Sequence, residues 1–272
     1  MSATFRLLFV GGGKMAEALL GGILSGLSAA EHGSVAVVET LASRRDELRN
    51  AFPGVIVADS VDGLIAEAAV IAVKPGDVRA ACEALTSTAQ PTGARQRVLS
   101  IAAGVSIEQL ESWLGEAAVI RSMPNTPALV GRGAAALAGG TRAGPADVQW
   151  ALDLLGTVGI AVQVPESKLD AVTGLSGSGP AYVFLVAEAM IEAGVFVGLS
   201  RDVAEALAKQ TLLGAATLLS ESSSDAPTLR ANVTSPGGTT AAGLRALENH
   251  GVRAAFIDAV VAATNRSAEL RG

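Results

Sequence analysis

Residues 5 to 121 alternate short apolar runs with amphipathic segments, and this alternation constrains the fold more than any other feature of the 272-residue chain. The predicted strands are Arg6–Val10, Val35–Val38, Val55–Val57, Val70–Val73, Val98–Ile101 and Val119–Arg121. The predicted helices between them are Ala16–Leu24, Arg44–Ala51, Val78–Leu85 and Ile107–Leu114. Strands that alternate with helices predict an α/β fold with a doubly wound, parallel sheet.

The chain changes character near Pro165. Before it, Gly133–Ala138 and Ile160–Val164 can add edge strands, with a helix over Asp147–Leu155 between them. After it we predict helices only, over Leu169–Val197, Arg201–Leu219, Pro227–Asn232, Thr239–Asn249 and Val252–Leu270. We therefore expect two domains, an α/β domain over residues 1–165 and an all-helical domain over residues 166–272.

Composition excludes several classes of function. A net charge of −6 and a pI near 5.0 argue against nucleic acid or an anionic membrane surface as the main partner. The single cysteine, Cys82, excludes an internal disulfide framework and a multi-thiolate metal site. The two histidines, His32 and His250, have no companion at metal-ligand or triad spacing, so no metal site is expected. A reducing, cytoplasmic setting is the simplest interpretation.

The segment Ala181–Leu199 is apolar and long enough to cross a membrane. It contains Glu188 and Glu192 one helical turn apart, and two carboxylates in hydrocarbon would be costly. We therefore expect a helix that is buried mostly against protein. Because the helical domain is thin on its own, we also expect partner helices from a second subunit.

The first predicted strand ends in Gly11-Gly12-Gly13-Lys14-Met15-Ala16, which has the G-x-G-x-x-A spacing of a dinucleotide-binding loop. The first glycine of this pattern allows the tight turn, and the second lets the backbone approach a pyrophosphate. The small residue at the third position allows the helix to pack closely on the strand. Since this loop follows a first strand and opens a helix, we predict a Rossmann-type domain in which residues 11–15 contact a dinucleotide.

The end of the second strand bears on cofactor choice. Glu39 is placed to hydrogen-bond a ribose diol, which favours NAD(H) because a carboxylate repels a 2′-phosphate. Arg44 and Arg45 follow closely and could instead clamp that phosphate, or they could be solvated residues of a helix start. The sequence leaves the choice between NADH and NADPH open.

Three more strand ends point to the same crevice, since ligands of open α/β sheets lie beyond the carboxyl ends of the strands. Lys74 has a competing interpretation as a surface lysine, and the Pro124–Pro127 loop as an ordinary structural turn. The candidate cofactor contacts are Val73, Lys74 and Pro75, then Ala102 and Ala103, then Asn125.

In the helical region, the turn Ser235–Thr240 runs directly into a helical pattern. Pro236 ends the preceding helix, and the two glycines after it permit close backbone approach. Thr239 and Thr240 then place hydroxyls at a helix N-terminus, where backbone N–H groups favour an anion. The turn therefore indicates a carboxylate site, with an ordinary capped helix start as the alternative.

Together these segments resemble the Δ1-pyrroline-5-carboxylate reductase family over essentially the whole chain. The matching stretches are Gly11–Ala16, Val73–Pro75, Ser100–Val105, Met123–Val130, Ser176–Tyr182 and Leu229–Thr240. The resemblance implies reduction of a cyclic imine to L-proline by hydride transfer from NADPH or NADH. It also implies a helical dimerisation domain and a homodimer that assembles further, for example into a decamer.

The resemblance also implies roles for six residues. Ser235, Gly238 and Thr239 would hold the substrate carboxylate, and Thr240 would hydrogen-bond the ring nitrogen. The remaining two members of the same pocket would be Asn232 and Ser178. Two rival functions are a β-hydroxyacid dehydrogenase, which would need a catalytic lysine near Ser178, and a non-catalytic nucleotide sensor, which has no use for both threonines.

Overall fold

The computed structural model describes residues 4–87 and 95–271, which contain one eight-stranded sheet. Its strands are β1 (Thr4–Val10), β2 (Val35–Val38), β3 (Ile56–Ala58), β4 (Ile65–Ile71), β5 (Arg97–Ser100), β6 (Ala118–Met123), β7 (Gly133–Gly139) and β8 (Gly159–Gln163). They lie in the order β3-β2-β1-β4-β5-β6-β7-β8, and only the β6–β7 pair is antiparallel. The predicted α/β class and doubly wound sheet are confirmed.

Helices cover both faces of this sheet. They are α1 (Lys14–Ser25), α2 (Ala42–Ala51), α3 (Val78–Ser87), α4 (Ile107–Leu114) and α5 (Pro145–Gly156). Alternate residues of β1 point to opposite faces, so Leu7 and Phe9 pack with α1 and α5 while Leu8 and Val10 pack with α3 and α4. Burial on both faces explains why the strands are continuous apolar runs in the sequence.

The predicted bounds of the fourth strand, Val70–Val73, are wrong. The strand β4 begins at Ile65, ends at Ile71, and pairs with β1 along its whole length. Its first half contains Ala and Glu, which have low β propensity, so the local sequence pattern did not predict a strand there. These residues are a strand because they pair with β1. Residues 59–64 connect β3 to β4 without a helix.

The rest of the described chain is helical. Its helices are α6 (Leu169–Val172), α7 (Gly179–Phe196), α8 (Arg201–Glu221), α9 (Ala226–Asn232), α10 (Thr239–Asn249) and α11 (Val252–Leu270). The single helix predicted over Leu169–Val197 is interrupted by a π-helical turn at Thr173–Gly177. Gly174 and Gly177 lie within this turn, and Pro180 follows it near the start of α7.

Helix α7 has no buried residue in the single chain. Phe184 and Leu185 are 63% and 66% exposed. The helical stretch Glu166–Phe196 is long and apolar enough to cross a membrane by length and composition alone. We expected this helix to be buried against protein. Within the single chain α7 contacts α8, but that contact leaves its residues at least partly exposed.

The described residues form two compact units. The first comprises the residues up to Ser178 together with those from Ala262 onward, and the second comprises Gly179–Val261. The first unit thus contains the whole sheet and the last turns of α11. A domain boundary near residue 165 remains a prediction.

Candidate functional site

The carboxyl ends of the parallel strands lie side by side at one edge of the sheet. Val10 of β1 is in register with both Val38 of β2 and Ile71 of β4. Gly11 N donates to Val38 O at 2.8 Å, and Ala72 N donates to Val10 O at 2.8 Å. The chain winds outward in opposite directions on the two sides of β1, and this is where open α/β sheets bind ligands.

The glycine loop has the conformation that its spacing predicted. Gly11 has φ +102°, and a Cβ there would lie 2.6 Å from Ala72 O. Gly13 precedes α1 with φ −66°, and a Cβ there would meet nothing within 4 Å. The first N–H groups of α1 have no intrahelical partners, as in any helix, and no side chain caps them. The loop and helix start therefore offer open space and donors that fit a pyrophosphate.

Glu39 closes one side of this loop. Its Oε2 accepts a hydrogen bond from Gly12 N at 3.0 Å, and its Oε1 accepts one from Leu41 N at 2.8 Å. The carboxylate thus connects the glycine loop to the loop that follows β2. This position at the end of β2 is where a dinucleotide site carries its ribose-binding acid.

Arg44 supports the same loop from the other side. Its Nε donates to Gly12 O at 2.8 Å, and its two terminal nitrogens donate to Glu17 and Glu47. Burial works against the charged form, but the hydrogen bonds to Glu47 and Glu17 raise the pKa of Arg44. The guanidinium, whose side chain is 13% exposed, is therefore held by protein acceptors.

The two neighbouring basic residues also contact the protein. Arg45 Nη1 donates to the carbonyls of Glu39 and Thr40 at 2.9 and 2.7 Å. Lys14, which is 72% exposed, pairs with Glu17 at 3.0 Å. Met15, next in the loop, is half-buried and packs on the core under α1.

The loops after β4 and β5 supply the next predicted contacts. Val73 is half-buried, while Lys74 is exposed and precedes a short turn over Pro75–Asp77. Ala102 is buried and Ala103 is exposed, so only Ala103 is accessible to a ligand through its side chain.

A cavity of 350 Å³ brings several of these predicted residues together. Pro75 from the loop after β4, Ala103 from the loop after β5 and Ser178 at the end of the π-helical turn all line it. The remaining wall consists of Gly104, Thr173, Ala263, Arg266, Ser267 and Leu270. The last turns of α11 were not predicted to take part in the site.

Asp170 holds those last turns in place. Its Oδ1 accepts a hydrogen bond from Ser267 Oγ at 2.9 Å, and its Oδ2 pairs with Arg271 at 2.9 Å. Both Asp170 and Ser267 are buried. These partners lie 97 residues apart, so no local pattern could have identified them.

Asn125 is buried, with both ends of its side chain engaged by protein. Its Nδ2 donates to Ser176 O at 3.0 Å and its Oδ1 accepts from Ala134 N at 2.8 Å. The side chain therefore connects the loop after β6 to the π-helical turn and to β7.

The turn Ser235–Thr240 lies in the second unit. Gly237 has φ +68°, and Gly238 N donates to Ser235 O at 3.1 Å. A Cβ on Gly238 would overlap Ser235 Oγ, so a larger residue there would force the Ser235 hydroxyl to move. No side chain caps α10, whose first residues are Thr239 and Thr240. Hydroxyls and unpaired backbone N–H groups thus meet at one helix start, as an anion site requires.

Two further side chains define the chemistry available. Asn232 ends α9 and is exposed. Burial raises the pKa of the Cys82 thiol to about 12, so this cysteine is inert as a nucleophile at neutral pH.

Two family models match the chain. Residues 166–270 match the model described as pyrroline-5-carboxylate reductase dimerisation. Residues 6–104 match the model described as NADP oxidoreductase, coenzyme F420-dependent. The first covers the helices after β8, and the second covers the glycine loop and the ends of β2, β4 and β5.

Relatives match over nearly the whole length. The chain is 40% identical over 269 residues to a pyrroline-5-carboxylate reductase of Arabidopsis thaliana, covering 98% of this chain and 96% of the relative. It is 40% identical over 272 residues to that of Pseudomonas aeruginosa, with coverage of 98% and 97%.

Solved structures agree. A pyrroline-5-carboxylate reductase from Coxiella burnetii matches with a TM-score of 0.89 and 34% identity, over 98% of this chain and 99% of that one. The pyrroline carboxylate reductase of Plasmodium falciparum, with NADP bound, matches with a TM-score of 0.80 and 29% identity, over 98% of each chain.

Proposed function

Because the chain belongs to the pyrroline-5-carboxylate reductase family, we propose that it reduces the C=N bond of Δ1-pyrroline-5-carboxylate to give L-proline. The chain is thus an oxidoreductase of proline biosynthesis that uses NAD(P)H. The observation that carries the proposal is the Ser235–Thr240 turn, where two threonines and unpaired N–H groups begin α10.

The edge of the sheet binds the dinucleotide in this proposal. The backbone of the glycine loop and the N-terminus of α1 hold the pyrophosphate, and bound NAD(P)H supplies the hydride. Glu39 faces the adenosine ribose, and Arg44 and Asn125 position loops around the site. The other contacts are Gly11, Gly12, Gly13, Lys14, Met15, Val73, Lys74, Pro75, Ala102 and Ala103.

The turn in the second unit binds the substrate. Ser235 and Thr239 hydroxyls and the N–H groups near Gly238 hold the carboxylate, while Thr240 Oγ1 donates to or accepts from the ring nitrogen. Asn232 and Ser178 are the other two residues proposed to bind the substrate. An iminium carbon is already electrophilic and its nitrogen can exchange protons with water, so these residues catalyse mainly by orienting the substrate.

We also propose that the chain assembles through its dimerisation segment, residues 166–270, into a homodimer and further into a decamer. The enzyme works in the cytoplasm. The domain boundary near residue 165 agrees with the start of the dimerisation match at residue 166.

Substitution of Thr240 tests the proposal. In an NAD(P)H oxidation assay with Δ1-pyrroline-5-carboxylate, we expect Thr240→Ala to lower kcat/KM at least tenfold, about 1.4 kcal/mol of transition-state stabilisation. Cofactor affinity should not change, because the turn holds the substrate only.

Thr217→Ala is the matched control, since this threonine is exposed on α8 and lies outside the turn. Its kcat/KM should equal that of the wild type. A Thr240→Ala enzyme within about twofold of the wild type would remove Thr240 from the mechanism. A folded protein that binds NAD(P)H but does not oxidise it with this imine would contradict the proposed reaction.

A further inference from the structure

We propose that Glu39 makes the dinucleotide site selective for NADH over NADPH. In this role its carboxylate accepts hydrogen bonds from the adenosine ribose and repels a 2′-phosphate. The inference rests on the proposed function and specifies which reduced dinucleotide the enzyme takes. It sets this chain apart from the NADP named for the matching oxidoreductase model and for the Plasmodium relative.

The carboxylate of Glu39 has acceptor capacity left for a diol. A carboxylate offers about four lone-pair positions. Gly12 N takes one on Oε2 and Leu41 N takes one on Oε1, so each oxygen can accept one more hydrogen bond. Two ribose hydroxyls would supply those two donors. The side chain is only partly buried, which leaves it accessible to a ligand at the loop.

A 2′-phosphate at the same place would be repelled by Glu39 and could not donate a hydrogen bond to it. It carries a charge of about −2 at neutral pH and has no proton to donate. Two anions in contact repel each other, and the partly buried position limits the screening by water. The hydrogen bonds from Gly12 N and Leu41 N hold the Glu39 carboxylate in place, so turning it away from a ligand would break both of them.

Arg44 is not available to neutralise that phosphate. Each of its three nitrogens already donates to an acceptor, namely Gly12 O, Glu17 and Glu47. Turning toward a ligand would break two ion pairs and release the carbonyl of the glycine loop. Arg44 is therefore a positioning residue for the loop and not a phosphate clamp.

Arg45 is turned toward the backbone in a similar way. Its Nη1 donates to Glu39 O and Thr40 O, which ties this nitrogen of the guanidinium to the chain after β2. Both arginines near Glu39 thus stabilise the loop that presents the carboxylate.

Direct binding measurements test the inference without the chemical step. The 272-residue protein is titrated with NADH and with NADPH, and binding is followed by the fluorescence of the reduced nicotinamide. We expect the Kd for NADH to be at least tenfold lower than that for NADPH. AMP should likewise bind more tightly than adenosine 2′,5′-bisphosphate, which differs only by the 2′-phosphate.

Glu39→Gln removes the charge and keeps the size of the side chain. We expect it to reduce the preference for NADH to less than about threefold, mainly through tighter binding of NADPH. Asp46→Asn is the matched control, because it makes the same change of charge on α2 at an exposed residue that pairs with Arg49. Its preference for NADH should equal that of the wild type.

Equal or tighter binding of NADPH by the wild type would overturn the inference. So would an unchanged preference in a folded Glu39→Gln variant. If that variant does not fold, the comparison of AMP with adenosine 2′,5′-bisphosphate on the wild type decides. Selective NADH binding without imine reduction would support the inference and overturn the proposed reaction instead.

Discussion

Single carboxylates connect segments of the first unit that are far apart in the sequence. Asp147 accepts hydrogen bonds from Arg95 Nη2 and Arg97 Nε, both at 2.9 Å, and from Gly144 N at 2.9 Å. Burial opposes its charge, but the hydrogen bonds from Gly144 and Arg97 and the charges of both arginines lower the pKa of Asp147. This one residue thus joins the start of α5 to the start of β5.

We expect Asp147→Asn to lower the free energy of unfolding by about 2 kcal/mol at neutral pH, because two arginines lose their anionic partner. A lowered folded-state pKa stabilises the protein above the unfolded value of 3.8 and stops doing so as pH falls through the folded value. The difference between variant and wild type should therefore be constant down to about pH 5 and shrink as the pH falls further towards about pH 3. Urea unfolding at fixed protein concentration measures it.

Asp153→Asn is the control for this prediction. Asp153 lies on the same helix, is exposed, and accepts a hydrogen bond from the exposed Gln149 side chain. Its substitution should leave the free energy of unfolding nearly unchanged. A pH-independent difference for Asp147→Asn would show that ionisation of this carboxylate does not stabilise the fold.

Between β1 and α1, one glycine is required by the fold and another is not. Gly11 is required by the fold, since its φ is +102° and a Cβ would lie 2.6 Å from Ala72 O. Gly13 has an ordinary φ of −66° and open space around it, so the fold alone does not require glycine there. Glycine at position 13 is explained by a ligand that approaches the backbone closely.

We therefore expect opposite outcomes for two alanine substitutions in one loop. Gly11→Ala should lower the free energy of unfolding by about 2 kcal/mol or more and abolish dinucleotide binding. Gly13→Ala should change stability by less than about 1 kcal/mol, yet raise the Kd for NADH at least tenfold. Thermal unfolding and fluorescence titration separate the two effects. Normal binding by Gly13→Ala would place the pyrophosphate elsewhere.

At the scale of the whole molecule, the second unit leaves a large apolar surface uncovered. None of the residues of α7 is buried, and Leu185 is 66% exposed. Monomeric proteins rarely expose contiguous apolar area of this kind. Since residues 166–270 match a dimerisation family, we expect a second copy of the chain to cover this surface.

Leu185→Glu should therefore disrupt assembly, because it would bury a charge in the subunit interface. We expect analytical ultracentrifugation to show smaller species than for the wild type. Val130→Glu is the control, since Val130 is 74% exposed but lies in the first unit, outside the dimerisation segment. A Leu185→Glu protein that sediments like the wild type would exclude this face of α7 from the interface.

The α/β class, the glycine loop and the helices after residue 165 could be predicted from the sequence, because strand and helix periodicities and glycine conformations are local properties of the chain. It misplaced β4, whose alanine-rich start is a strand only through pairing with β1. It also left the roles of Glu39 and Arg44 open. The acceptors that Arg44 contacts and the hydrogen bond between Asp170 and Ser267, 97 residues away, could be identified only from the folded chain. Such contacts depend on the register of distant elements, and no local pattern encodes them.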